Sequence, residues 1–321
     1  YTNATLFHWA PELDLFLGWL IALLKVLVLF LCTKGKDNAS EKWKFLIILS
    51  LIIFGGSQAS VYLYGMTSMC WGLSTFAFTC GIWSLLSCRS ATTGVWLMML
   101  AGIVSSFTEG NVPPCWLAFL LVLTMSGPRP RWHLGVWSAG LAISLLPYAI
   151  GFVLKKHSGT LTTSSSSIHL EAVADLLGRI FLNHSATTGG YSQTSQVFGL
   201  LGLSFFLIYL YIIRKRILSS PPPSIITALA LGLYGLSSAV LLSLVRTTIA
   251  PWYVALTSPF WIGLLIIATN CLSSSDEPNQ LSDNSVASIN KPALRLFGLF
   301  TCIVFAGLYV NSNFRIRDKD W

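Results

Sequence analysis

The stretch LGWLIALLKVLVLFL, residues 17–31, is apolar on every side except at Lys25. A strand of a membrane barrel would alternate apolar and polar residues, and this stretch has no such alternation. With the residues that flank it, the run approaches the roughly 20 residues that a helix needs to cross a hydrocarbon core about 30 Å thick. It therefore predicts a transmembrane α-helix. We expect a structural role for Lys25, since the long stem of a lysine can reach toward the lipid headgroups.

The composition of the whole chain agrees with a membrane environment. Of the 321 residues, 54% are hydrophobic and 10% are charged, whereas soluble domains carry roughly 25% charged residues. We predict an all-α fold, a polytopic transmembrane helical bundle of about ten spans that forms a single integral membrane domain over residues 1–321. The predicted spans are 14–32, 44–65, 67–87, 94–109, 114–127, 133–154, 196–213, 224–246, 252–273 and 293–311.

The net charge of +8 lies in short clusters beside the ends of these spans, not along one face. In a membrane chain this pattern indicates topology, so we predict no nucleic-acid partner. The basic segments 33–44, 88–90, 127–133 and 214–216 follow the first, third, fifth and seventh spans. The positive-inside rule places these segments in the cytoplasm and Tyr1 on the outer side.

Two polar segments interrupt the spans. Residues 155–195 form a long outer loop, within which 168–184 has the apolar periodicity of an amphipathic helix. We expect this helix to lie along the membrane surface; a re-entrant or lid helix beside a site is the alternative. Residues 273–291 are acidic and rich in serine, which predicts a flexible cytoplasmic linker.

Three carboxylates on the predicted outer side are candidate catalytic groups. Glu12 and Asp14 stand two residues apart just before the first span, and Glu109 ends a span before Gly110 and Pro113. Acids are also favoured at any helix N-terminus, and Glu109 is equally compatible with a solvated loop position. A role in catalysis and a structural role therefore both stay open for all three.

Arg246 lies at the outer end of the eighth predicted span, five residues before a Pro-Trp-Tyr segment that contains Trp252 and Tyr253. Arginine presents a planar set of donors that suits phosphate or carboxylate, and tryptophan and tyrosine favour the membrane interface. These three residues are candidates for binding a lipid-linked phosphate. Anchoring to lipid headgroups is the alternative.

Other motifs are missing from the sequence. It has no P-loop, no HExxH and no GxSxG segment, its seven cysteines form no CxxC pair, and its histidines have no metal-ligand spacing. We therefore predict no metal site and no cofactor. A divalent metal is conceivable at the outer acids, but no ligand pattern supports one.

Three segments resemble the GT-C glycosyltransferase-like polytopic membrane proteins of bacteria, many of which are uncharacterised. They are SLIIFGGSQASVYLYGMTSMCWGLSTFAF (50–78), SSFTEGNVPPCWLAFLLVL (105–123) and SLVRTTIAPWYVALTSPFWIGLL (243–265). Their order and spacing agree with that family over about residues 45–270. In the third segment Tyr253 matches the family's tyrosine and Arg246 its earlier arginine, whereas Pro251–Trp252 replaces a second arginine.

The resemblance implies an enzyme of the bacterial inner membrane that uses a polyprenyl-phosphate-linked sugar at the outer face. The family's catalytic acid lies in its first outer loop, which favours Asp14, followed by Glu12 and Glu109, as the base. Arg246, with Trp252 and Tyr253, would bind the phosphate. The chain begins in what looks like that loop, so a first span is expected to be missing.

Two other functional classes compete with this interpretation. Twelve tryptophans and many glycines and serines within the spans also suit a non-catalytic membrane subunit that packs against membrane-protein partners. A transporter would usually show internal repeats, and the sequence has no convincing repeat. An outer cavity lined by Asp14, Glu109 and Arg246 would favour the enzyme.

The predicted topology can be tested with accessibility tags in intact cells. A tag after Lys215 should be cytoplasmic, and a tag within 162–167 should be external, because the basic segments orient the spans. Labelling by an impermeant reagent measures each position. Finding both tags on one side would contradict the orientation and the grouping of the outer acids.

Overall fold

The computed structural model describes residues 11–32, 46–47, 49–50, 52–54, 68–109, 111–127, 130–157, 170–181, 193–219, 221–245 and 253–273. These ranges contain helices and turns and no strand. The nine α-helices with described bounds are α1 Pro11–Cys32, α2 Leu73–Ser87, α3 Ala91–Glu109, α4 Val112–Met125, α5 Trp132–His157, α6 Leu170–Gly178, α7 Gln193–Ser219, α8 Pro223–Val245 and α9 Val254–Ser273. A π-helical turn, Ser68–Gly72, precedes α2, and a 3-10 turn, Arg179–Phe181, follows α6.

Six helical segments of the described residues are long and apolar enough to cross a membrane; they lie in α1, in α2 with its preceding π-helical turn, and in α3, α5, α7 and α8. Helix α4 and the apolar stretch Val254–Asn270 of α9 are shorter. The chain therefore has the helices of a multi-pass integral membrane protein, as predicted. The number of ten spans is not confirmed, since 44–65 is described only in fragments and 293–311 lies outside the described residues.

The core lies around α8 and α9. In α8, 72% of the apolar window is buried, against 22% in α5, so α5 lies at the edge of the described bundle. Tyr234 of α8 stacks on Phe78 of α2 at 4.1 Å between ring centroids, and Phe119 of α4 lies 5.3 Å from Phe78. These rings join three helices that are far apart in sequence.

Local sequence explains several helix ends. The Ser90 hydroxyl accepts a hydrogen bond from the Thr93 N–H, which is an N-cap for α3. Pro113 and Pro114 occupy the first turn of α4, where no intrahelical N–H is needed. Beyond the end of α4, Gly127 has a φ of 95°, a left-handed conformation that glycine adopts without steric cost.

Helix α9 continues past Pro259. A proline within a helix leaves the carbonyl four residues earlier without its N–H partner, which here is Ala255. The Ser258 hydroxyl donates to the Ala255 carbonyl over 3.1 Å. A serine side chain thus satisfies the acceptor that the proline releases, as expected for a helix in an apolar environment.

Helices α6 and α7 touch backbone to backbone. A side chain added at Gly178 would overlap the Ser195 carbonyl, and one added at Gly199 would overlap the Ala174 carbonyl. Each helix therefore presents two small residues four positions apart to the other. Small residues with this spacing allow close helix contact where lipid supplies no hydrophobic drive between helices.

Helix α6 is buried within the protein, and its expected position along the membrane surface is not confirmed. Residues 172–181 are all buried within the protein, and only Leu170 and Glu171 are exposed among the described residues of this segment. The apolar periodicity predicted the helix correctly. The residues of 172–181 outside the apolar pattern are small or belong to a charged pair, and the neighbouring helices cover them as well.

We predict that Gly199→Ala destabilises the protein by about 1–3 kcal/mol or more, because the added methyl group must force α6 and α7 apart. Thermal unfolding in detergent measures the effect. Gly135→Ala in α5 is the matched control, since no atom lies within 4 Å of the added group; it should be neutral or stabilising by up to about 1 kcal/mol. Equal losses in both variants would contradict the close packing.

Candidate functional site

Six buried polar side chains from five helices form what we call the polar layer: Lys25, Ser74, Thr75, Ser105, Asn111 and Ser238. Each is at most 5% exposed. Five of them lie close to the helix ends that adjoin predicted outer loops, and Lys25 joins them from the interior of α1. Buried polar groups are costly unless they are hydrogen-bonded, so their partners decide what the layer can do.

Lys25 is the charged member of the polar layer. Its Nζ donates to the Thr75 hydroxyl over 2.9 Å, and the side chain is 5% exposed. A lysine at the centre of a span costs about 2.5–3.5 kcal/mol on insertion scales, and such residues mark functional positions by default. The expected reach toward the lipid headgroups is therefore wrong: the ammonium points into the protein.

The partner of Lys25 belongs to an unusual stretch of backbone. The Thr75 hydroxyl lies 3.2 Å from the carbonyls of both Trp71 and Gly72, in the π-helical turn before α2. Single π-helical turns occur frequently at functional sites. The Trp71 ring lies 5.4 Å from the Tyr253 ring at an interplanar angle of 59°. The turn thus connects Lys25 to one of the predicted phosphate-binding residues.

The other members of the layer join further helices. The Ser74 hydroxyl lies 3.1 Å from both the hydroxyl and the carbonyl oxygen of Ser105, linking α2 to α3. The Asn111 amide nitrogen donates to the Ser238 hydroxyl over 2.7 Å, linking the start of α4 to α8. Asn111 makes no side-chain cap for its own helix. The Asn111 side chain instead forms a hydrogen bond between two helices.

Beside the layer, Trp116 joins α3, α4 and α5. Its indole N–H lies 3.2 Å from the hydroxyls of both Ser106 and Ser144, and the Tyr148 hydroxyl donates to the Ser106 carbonyl over 3.1 Å. All three contacts fix helix positions. They do not place a reactive group beside the layer, so we assign them to packing.

A second polar group, which we call the charged cluster, consists of Asp175, Arg179 and Ser195. The Arg179 Nε donates to Asp175 over 2.7 Å, and the two side chains are 5% and 0% exposed. The Ser195 hydroxyl donates to the other carboxylate oxygen of Asp175. A buried ion pair with an additional hydrogen bond holds the start of α7 against α6.

Side chains from α9 hold the end of α6. The Thr257 hydroxyl donates to the Leu176 carbonyl over 3.1 Å, and the Trp261 indole donates to the Leu177 carbonyl over 2.7 Å. The last carbonyls of a helix have no partner within the helix, so these contacts let α6 end inside the protein. Together with the charged cluster, these contacts stabilise a helix end that is buried within the protein.

The structure describes four of the six predicted site residues. Glu12 is exposed and Asp14 is half-buried in the first turn of α1, and Glu109 is the last residue of α3. Tyr253 is 6% exposed at the start of α9. Arg246 and Trp252 lie outside the described residues.

Only Tyr253 is connected to the polar layer by described contacts. Asp14 is eleven residues before Lys25, about 16 Å along the helix axis at 1.5 Å per residue, so the two are not neighbours. Among the described residues, no group of three or more His, Cys, Asp or Glu could hold a metal ion.

Sequence reasoning missed both the charged cluster and the Asn111–Ser238 contact. The spacing of Asp175 and Arg179, four residues apart, is a signal for an ion pair on one helix face. Nothing local indicates that this face is buried. Asn111 and Ser238 are 127 positions apart, and no local pattern relates them.

We predict that Asp175→Leu and Arg179→Met each destabilise the protein by about 3–5 kcal/mol, because each leaves one charge buried without its partner. The double variant should lose much less, since both charges are gone. Glu171→Gln, at an exposed position on the same helix, is the control and should stay within about 0.5 kcal/mol. Additive losses in thermal unfolding would show that the two charges do not depend on each other.

No family model, no curated protein and no solved structure matches the chain. The polar layer is therefore a candidate site on the basis of its own contacts among the described residues. They place a buried ammonium, hydroxyls and an amide near one end of an apolar helical bundle. Tyr253 adjoins this layer through Trp71.

Proposed function

We propose that the protein is a GT-C-like enzyme that binds and uses a polyprenyl-phosphate-linked sugar at the outer face of the bacterial inner membrane. The polar layer is the observation that carries the proposal. An apolar bundle that had only to pack would have no need of a lysine and an asparagine buried between its helices, because each is costly in such surroundings.

The depth of the layer suits a ligand that enters from the outer side. Ser105 lies four residues before the end of α3 at Glu109, which is about 6 Å at 1.5 Å per residue. Ser74 is at the level of Ser105, and Thr75 brings the Lys25 ammonium to the same level. Lys25, Ser74, Thr75 and Ser105 are therefore about one helical turn below the outer loop predicted after α3, and Asn111 lies in that loop.

The proposed binding residues combine charge with apolar contact area. Arg246 supplies the cation for the phosphate, because its planar donors suit phosphate oxygens. Trp252 and Tyr253 supply aromatic surface for the isoprenoid chain near the headgroup level. The contact between Tyr253 and Trp71 supports a place for this segment beside the polar layer.

The reaction we propose is transfer of the sugar to an acceptor hydroxyl. A carboxylate, Asp14 in preference to Glu12 or Glu109, takes the proton of the hydroxyl as its oxygen bonds to the anomeric carbon. The bond between that carbon and the phosphate oxygen breaks, and its electron pair leaves with polyprenyl phosphate. Arg246 stabilises the phosphate as its charge increases.

The exposed apolar faces of α5 and α7 are compatible with a second candidate, a membrane subunit without catalysis. Leu146 is 59% exposed in α5, and Leu207 and Tyr211 are 56% and 66% exposed in α7. A bilayer or a partner protein would cover these faces equally well. Failure of the enzyme hypothesis would therefore leave the subunit as the better account.

Binding is tested with the full chain in phosphatidylcholine nanodiscs and a long-chain polyprenyl phosphate. Arg246→Ala should weaken binding by about ten- to a hundredfold, since a hydrogen bond to a charged group contributes about 1.5–3 kcal/mol. Arg246→Lys should lose less. Arg214→Gln, an exposed arginine at the predicted cytoplasmic end of α7, is the control and should bind normally.

Transfer is measured with a polyprenyl-phosphate-linked sugar and the same preparation. Changing the true base to its amide should lower the rate by about 10²- to 10⁴-fold, with unchanged thermal unfolding. We expect this loss in Asp14→Asn before Glu109→Gln or Glu12→Gln. If the unaltered protein neither binds the lipid nor transfers sugar, the subunit becomes the preferred function.

A further inference from the structure

The Lys25–Thr75 hydrogen bond has a fixed direction. A lysine ammonium only donates hydrogen bonds, so the Thr75 oxygen must accept from Lys25. The hydroxyl proton of Thr75 is then directed to the carbonyls of Trp71 and Gly72, each 3.2 Å away. The three groups form a chain in which each hydrogen bond polarises the next.

This chain ends on the backbone of the π-helical turn. A π-helical turn is rare and replaces the α-helical hydrogen bonds with bonds to the fifth residue, and the Thr75 hydroxyl bonds to two of its carbonyls. Helix α1 also touches the turn one helical turn before Lys25, where Ile21 lies 3.6 Å from the position of a side chain added at Gly72. Helix α1 therefore supports the turn at two adjacent points.

Trp71 belongs to the same turn. Its carbonyl accepts from Thr75, and its ring lies 5.4 Å from the ring of Tyr253. The backbone that Lys25 and Thr75 hold is thus the backbone from which the Trp71 side chain extends. A change in the turn would move the Trp71 ring and remove the contact that fixes Tyr253.

We propose that Lys25 is a positioning residue for ligand binding, which acts through Thr75 and Trp71 to hold the Tyr253 ring in place for the lipid-linked phosphate. This inference rests on the proposed function. A direct contact between Lys25 and the ligand is less favoured, because the Lys25 side chain is 5% exposed and its ammonium donates to Thr75.

The test is a double-mutant cycle on the binding of long-chain polyprenyl phosphate to the full chain in phosphatidylcholine nanodiscs. Lys25→Met keeps the length of the side chain and removes the charge. It should raise the Kd on the order of tenfold. Tyr253→Ala removes the residue through which Lys25 acts. The double variant should therefore have the Kd of Tyr253→Ala alone.

Thr75→Val is the second variant. It interrupts the chain without removing the lysine, and it should raise the Kd to a similar extent even if Lys25→Met does not fold. Thr79→Val is the matched control on the same helix, since the Thr79 hydroxyl donates to the Phe76 carbonyl and its loss leaves the Lys25–Thr75 chain intact. Its Kd should be unchanged.

The outcomes separate the two proposals. If the unaltered protein does not bind polyprenyl phosphate, the proposed function fails. If it binds and the Lys25→Met and Tyr253→Ala effects multiply, Lys25 acts independently of Tyr253 and the positioning role is overturned. An unchanged Kd in both Lys25→Met and Thr75→Val, even with altered thermal unfolding, would overturn it as well.

Discussion

Hydrocarbon offers no hydrogen bonds, so every polar group within a membrane bundle must find its partner inside the protein. Much of the described structure follows from this constraint. The Lys25 ammonium is held by Thr75, the Asn111 amide by Ser238, and the carbonyl that Pro259 releases by Ser258. In each case a hydroxyl is one of the two partners. Serine and threonine are small enough to lie between close helices and still supply a donor and an acceptor.

The same solvent explains the close helix packing. Lipid tails are as apolar as leucine side chains, so helices in a bilayer gain little from burying apolar surface and associate through tight contact. Gly178 and Gly199 bring α6 against α7, and Gly263 lies against the backbone of Ala228 and Gly232 where α9 meets α8. Close contact between α6 and α7 also lets the Ser195 hydroxyl reach Asp175 from the neighbouring helix.

The two polar groups of the bundle have different consequences. The charged cluster and the donors from α9 hold a short helix inside the protein, and they satisfy groups that would otherwise be buried at a cost. The polar layer instead joins five helices near one end of the bundle, and its π-helical turn adjoins Tyr253. A structural role accounts for the first group completely. For Lys25 in the second group we propose the positioning role instead, because a neutral side chain could have joined α1 to Thr75 without the penalty of a charge in a span.

The sequence alone determined the all-helical membrane class, the positions of eight helices within a few residues of the predicted spans, and the presence of the helix at 170–178. These features depend on local apolar length and periodicity, on prolines and on glycines. Tertiary structure alone decided that α6 is buried, that Lys25 points inward and that Asn111 bonds to Ser238. Each of these depends on the direction in which a side chain meets another helix, for Lys25 and Asn111 at a residue 50 or more positions away, and no local pattern contains that direction.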